Sequence, residues 1–220
     1  MSNFIVKKTT LKEQVYEYLK NAITTGEIGP GDRLIEEKVS ETLQVSRSPI
    51  REAVRMLEKD GLLNVHGSGG VTVVNPTVED YRNLYETRVE MESLAAYYAA
   101  QRRTDKELAE MQEFIVEMQK NVTDNHNVKG MLQVNFSFHE AIVRASQNPF
   151  LISMTLQLRG VNSFYRKAIL EGNPSHMREA LQDHLDIFQA IDRQQQDEAR
   201  ESMRRHIERD FQSFMKVASK

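Results

Sequence analysis

The spacing of apolar residues changes character once along the chain, near residue 75, and the change separates two kinds of structure. Residues 11–23 place Val15, Tyr16, Tyr18, Leu19, Ala22 and Ile23 at helical spacing, and Gly26 with the turn Gly29-Pro30-Gly31-Asp32 closes that first helix. Residues 34–43 predict a short second helix with Leu34, Ile35, Val39 and Leu43 inward, followed by a tight connection through Gln44. A third helix follows over residues 45–59, where Ile50, Ala53, Val54 and Leu57 form an apolar stripe, Ser46 and Ser48 are candidate caps and Pro49 suits the first turn. Residues 62–65 and 71–74 are β-branched or apolar runs separated by His66-Gly67-Ser68-Gly69-Gly70, which predicts a hairpin with a glycine-rich tip. After Asn75-Pro76 no β-rich run appears. Helices are predicted near residues 78–102, 104–122, 128–146, 149–171, 175–193 and 197–217, with Thr77, Thr104 and Asn148 as caps and Gly172-Asn173-Pro174 as a break. Short connections make neighbouring helices antiparallel. The fold class is therefore mainly α: an N-terminal winged helix-turn-helix over residues 1–75 and a C-terminal all-α antiparallel helical bundle over residues 76–220.

Charge placement sharpens the picture of the first half. Arg47, Arg51, Arg55 and Lys59 recur every fourth residue on the third helix, opposite its apolar stripe. Such a stripe is often only a solvated helix face, but on the last helix of a helix-turn-helix it aims guanidinium forks at phosphates and guanine edges. Bulk charge gives no such signal: the chain carries a net −3, and residues 1–75 hold ten Lys/Arg against ten Asp/Glu. The glycine-rich tip lacks the Lys-Ser/Thr and the following helix of a phosphate-binding P-loop. With no cysteine, disulfides and thiolate metal sites are excluded. No apolar run approaches the ~18 to 20 residues needed to cross a bilayer, so no membrane partner is expected.

In the second half the chemistry lies in histidines on apolar stripes. His139 shares one with Leu132, Phe136 and Val143, and His184 shares another with Met177, Leu181, Ile187, Phe188 and Ile191, so both imidazoles face the core. His184 and His206 are each eleven residues from Gln195, in the turn between their helices. At a rise of ~1.5 Å per residue, an antiparallel pair sets both ~16 Å from that turn. Asn135, four residues before His139, adds a side-chain oxygen on the same face. Together Asn135, His139, His184 and His206 form a candidate site for a divalent metal, zinc first, with nickel or manganese as alternatives. The competing reading is a set of hydrogen-bonded core histidines. Arg88 shares a stripe with Leu84, Met91 and Ala95, and a guanidinium there needs an anion: either an internal acid such as Glu92 or a carboxylate effector gripped bidentately. Arg166, with Ser163, either extends that pocket or is solvated.

The order Pro30-Gly31-Asp32-x-Leu34, Val45-Ser46-Arg47-Ser48-Pro49-Ile50-Arg51-Glu52-Ala53-Val54, Leu57, Gly61-Leu62 and the hairpin resembles the winged-helix domain of the GntR superfamily of bacterial transcription regulators. The resemblance implies that Ser46, Arg47 and Ser48 open the recognition helix over the major groove, that Arg51 reads or clamps the operator, and that His66 and Gly67 lie on the wing near the minor groove. Two positions depart from the pattern: many relatives carry an arginine where this chain has Glu36-Glu37-Lys38, and a basic residue at the wing tip where it has Gly69. The second half, through Asn135-Phe136-Ser137-Phe138-His139, Asn148-Pro149-Phe150-Leu151, His184 with Ala190-Ile191, and His206, resembles the FCD effector domain of the FadR branch. In many such domains an aspartate and three histidines hold a divalent metal, and a small organic acid completes its coordination. Asn135 stands at the aspartate's position. The resemblance also favours an effector carboxylate as the partner of Arg88.

These readings together predict a homodimeric, non-enzymatic transcription regulator, a repressor, that binds a palindromic double-stranded operator and responds to a small carboxylate effector at the metal. The expected location is the bacterial cytoplasm, at the nucleoid when DNA is bound. Two alternatives stay open. One is a metal-dependent hydrolase, although no His-Glu-x-x-His helix supplies a general base. The other is a regulator whose metal is purely structural.

Overall fold

The computed structural model describes residues 9–67, 69–123, 127–173 and 175–219; Ser68 of the predicted wing tip and Pro174 of the predicted break lie outside them. The chain divides into two compact units, with the boundary between Asn75 and Pro76.

In the first unit, α1 (Leu11–Thr24) starts at a capping box in which the Thr10 hydroxyl accepts from the Glu13 amide and the Glu13 carboxylate accepts from the Thr10 amide. Its buried side chains Val15, Leu19, Ala22 and Ile23 pack against Ile50, Ala53, Val54 and Leu57 of α3 (Arg47–Lys59). Burying a Val, Leu or Ile side chain is worth ~1.5–3 kcal/mol, so this seam is what holds the basic face of α3 outward. The second helix differs from the predicted one. Arg33–Leu34 forms a short strand, β1, and α2 (Glu36–Leu43) begins only afterwards and has no fully buried residue. The reason lies in the sheet, ordered β1-β3-β2, where β1 pairs with β3 (Val71–Val73) through Arg33↔Thr72 and Leu34↔Val71. β2 (Leu63–Val65) pairs with the other edge of β3, so Leu34 is buried under a three-stranded sheet rather than on a helix. Gln44 ends α2 in the left-handed conformation (φ 54°, ψ 41°), and the Ser40 hydroxyl donates to the Val45 carbonyl at 2.6 Å. This closes the turn that aims α3.

The second unit comprises α4 (Val78–Arg102), α5 (Asp105–Thr123), α6 (Val128–Ala145), α7 (Pro149–Gly172), α8 (His176–Asp192) and α9 (Gln196–Ala218). Thr77 caps α4 in a capping box with Asp80, Thr104 accepts from the Glu107 amide at the start of α5, and Asn148 accepts from the Phe150 and Leu151 amides of α7. α4 is the central rod, packing on α6, α7, α8 and α9, while α5 closes against α6 and α8. A core of Met111, Ile115, Phe138, Ile142, Ile187, Ile191 and Met203 fills one part of the bundle. Tyr81, Tyr165, Phe211 and Phe214 fill another, where the Tyr165 hydroxyl donates to the Thr77 carbonyl at 2.8 Å. The imidazoles are held among these rods.

Candidate metal site and nucleic-acid interface

His139 on α6, His184 on α8 and His206 on α9 converge, with one ring nitrogen of each lying within 4.8 Å of the others. All three are buried. Their orientation follows from carboxylates behind two of the rings. Glu92 on α4 sits 2.7 Å from His139 Nδ1, and because its ionised oxygens only accept, Nδ1 carries the proton and Nε2 turns its lone pair inward, 3.2 Å from His184 Nε2. Asp183 lies 3.5 Å from His206 Nδ1, and His206 Nε2 makes no hydrogen bond. Asn135 reaches the same group, its amide nitrogen 3.1 Å from His184 Nε2; a half-turn about the amide bond axis presents the oxygen instead. Ring nitrogens facing one another in a buried site, those of His139 and His206 backed by Glu92 and Asp183, are what a metal centre needs. The residues fit a divalent cation.

Electrostatics keeps the donors available. Burial, partly offset by Glu92, lowers His139 to about 4, and burial together with His206 and His139 pushes His184 well below the ordinary imidazole value. Burial alone would raise Glu92, but Arg88 and His139 outweigh it and hold the carboxyl well below the usual range. A histidine at about 4 when folded and 6.5 when unfolded binds its proton more readily in the unfolded chain. Stability of the metal-free protein is therefore full above pH 6.5 and is lost as pH falls toward 4. His139 alone is expected to cost about 2 kcal/mol on moving from pH 7 to 5, read as a falling denaturant midpoint; a midpoint flat over that window contradicts the buried neutral ring.

Around this centre lie the arginines. Arg88 donates through Nε to Glu92 at 2.6 Å and through Nη1 to Asn162 at 2.8 Å, so in this structure its partner is the internal acid. Arg166 is buried rather than solvated: Nη1 pairs with Asp210, which also contacts His176 Nε2 at 2.9 Å, while Arg166 Nε and Nη2 have no hydrogen-bond partner. Asp210 Oδ2 lies 3.7 Å from His206 Nε2, linking this second cluster to the triad. Asp183, His176 and Asn162 were not legible as site residues in the sequence. Asp183 is buried on the same face of α8 as Ala180, His184 and Ile187, and only the packing of α9 onto α8 brings it to His206.

On the first unit, Ser46 occupies the N-cap position of α3 but makes no capping hydrogen bond, contrary to expectation, and Ser48 is exposed in the first turn. Both hydroxyls remain available to an outside acceptor. Arg47 pairs with Glu37, and Arg51 donates through Nε to Glu36 at 3.2 Å. The Arg51 contact uses the inner nitrogen, so the terminal fork still matches the two acceptors of a guanine edge. On the hairpin, exposed His66 lies with Nε2 2.9 Å from the Thr72 hydroxyl, and Gly67 follows it at the turn.

A basic helix presented by a helix-turn-helix and wing, followed by an all-helical domain with a buried histidine triad, defines a class, and the chain belongs to it: the family model of bacterial regulatory proteins, gntR family, matches residues 11–73 and that of the FCD domain matches residues 83–209. It is a DNA-binding transcription regulator, not an enzyme, which removes the hydrolase alternative. Among relatives, the HTH-type transcriptional regulator YdhC of Bacillus subtilis is 30% identical, with 96% of this chain and 94% of the relative aligned. The HTH-type transcriptional regulator McbR of Escherichia coli is 29% identical over 84% of each chain. The solved structure of E. coli McbR/YncC superposes with a TM-score of 0.83 at 25% identity, covering 95% of this chain and 99% of the other. A GntR-type regulator structure from Rhodococcus shares the fold, with a TM-score of 0.79 at 21% identity and coverage of 94% and 99%. Among the described residues, no helix is long and apolar enough to cross a membrane.

Proposed function

We propose that this chain is a cytoplasmic, homodimeric repressor whose operator binding is set by a small organic acid bound at a divalent metal, zinc first, in the helical domain. The observation that carries the reading is the triad itself, with the Nδ1 atoms of His139 and His206 facing Glu92 and Asp183. His139, His184 and His206 hold the ion, Asn135 adds an amide oxygen, and Glu92 and Asp183 fix the rings that donate. When bound, the ion supplies a Lewis-acidic centre with positions open to a carboxylate. Arg166, with two unpartnered donors, supplies hydrogen bonds to an acid in the same domain, and Arg88 does so if Glu92 yields. Ser46, Arg47, Ser48 and Arg51 contact the major groove, and His66 and Gly67 lie near the minor groove. One winged helix spans few base pairs, so two related by a twofold read the halves of a palindrome.

Control is then linkage. An acid that binds the DNA-competent and incompetent states unequally shifts their populations, and a coupling of ~1–3 kcal/mol changes operator affinity ~5- to 150-fold. Chelation tests the reading: metal-stripped protein is expected to keep operator binding in an anisotropy titration and to lose its response to the acid. A lowered melting temperature with the response intact assigns the metal a structural role only.

A further inference from the structure

The charges buried in the helical domain are already balanced before any metal is considered. Among the described residues the buried guanidinium groups are Arg88, Arg159 and Arg166, and the buried carboxylates are Glu92, Asp183 and Asp210. Each has a partner: Arg88 pairs with Glu92, Arg166 with Asp210, Arg159 with the half-buried Glu140, and Asp183 with Arg209. The groups that converge on the triad, the rings of His139, His184 and His206 with the amide of Asn135, bring no negative charge. A divalent ion there adds two uncompensated charges to a buried site. Isolated charge in such surroundings costs several kcal/mol, and in a protein it is met by an opposite charge or the site stays empty.

We propose that the acid sensed by this protein is a dianion, a dicarboxylate in the simplest case, which supplies both of the negative charges that the donor set lacks. The inference rests on the metal reading above and goes beyond it in fixing the charge class of the ligand. A carboxylate at position 135 would cancel half of the ion's charge and leave a monoanion sufficient. Asn135 leaves the whole demand to the ligand. Arg166 strengthens it, since Nε and Nη2 are buried without partners and an anionic oxygen is their natural acceptor. Asp210 does not remove the demand: its Oδ2 lies 3.7 Å from His206 Nε2, but its negative charge is already matched by the Arg166 guanidinium, which with His176 holds Oδ1.

The test is calorimetric titration of the full chain with Zn²⁺, alone and with acetate or succinate supplied at equal concentration of negative charge. Succinate is expected to tighten Zn²⁺ binding to the native sequence by about tenfold or more, within the ordinary range of coupling between two sites, and acetate by far less. Asn135→Asp is expected to bind Zn²⁺ alone roughly 10- to 100-fold more tightly and to lose most of the succinate gain. Asn135→Ala, which stays neutral, keeps that gain and decides the matter if the aspartate variant fails to fold. Equal tightening by acetate and succinate in the native chain overturns the proposal while leaving the metal site standing. Absence of binding for Zn²⁺, Ni²⁺ and Mn²⁺ alike, with either anion, overturns the metal reading and the proposal with it.

Discussion

Arg51→Ala is expected to weaken operator binding by roughly 1–3 kcal/mol, about 5- to 150-fold, while the melting temperature and metal content stay unchanged. The side chain is well exposed, and its contact in the free protein is to Glu36 on the neighbouring helix, so its removal takes nothing from the α1–α3 seam. Nε is the nitrogen that Glu36 occupies, which leaves the terminal fork for the paired acceptors of a guanine edge. The loss is therefore expected to be concentrated on the cognate sequence, with relaxed preference at one base pair in each half-site. Lys59, at the far end of the same helix, is the contrast. Its removal is expected to weaken binding to any duplex alike and to flatten the salt dependence by about one unit of slope. Unchanged operator affinity in the Arg51 variant, measured by anisotropy at fixed salt, contradicts the placement of α3 in the groove.

His184→Ala is expected to reduce metal affinity by more than about 100-fold, beyond the usual cost of disturbing a residue that only supports a ligand. His184 is the hub of the triad, 3.2 Å from His139 Nε2 and 3.1 Å from Asn135. Its own Nδ1 is buried without a hydrogen bond, so the metal-free fold loses packing but no polar partner on that side. The variant is expected to remain helical, to bind the operator as the native chain does, and to ignore the acid. Full metal content by elemental analysis of the purified variant sinks the assignment of His184 as a ligand.

The convergence of the histidine rings is legible in the sequence. The equal distances of His184 and His206 from Gln195 place their rings at one level of an antiparallel pair, and the ring centroids lie 4.5 Å apart. Thr77, Thr104 and Asn148 cap helices where oxygen-bearing side chains precede periodic apolar runs. What stayed hidden depends on neighbours distant in sequence. A two-residue strand such as Arg33–Leu34 has no periodicity to read, and its existence depends on Val71 and Thr72 lying beside it. Gln44, Gln147 and Gln194 adopt positive φ at helix ends, where glycine or asparagine is the usual signal, so nothing in their chemistry announces the turns. Arg88 was balanced between an inner and an outer partner on its helix alone; the position of Glu92, shared with His139, decides for the inner one in this structure.

The acids lying across the reading arginines carry a consequence for how the protein searches a genome. On an arbitrary stretch of duplex, Arg47, held by Glu37 through a terminal nitrogen, is expected to give up that carboxylate before settling on a phosphate, so the gain over staying in solution is small and each visit is brief. At a matching guanine, Arg51 is expected to engage through its tip while Nε stays on Glu36, with no such exchange. Glu36 and Glu37 are thereby expected to widen the gap in dwell time between a wrong address and the right one.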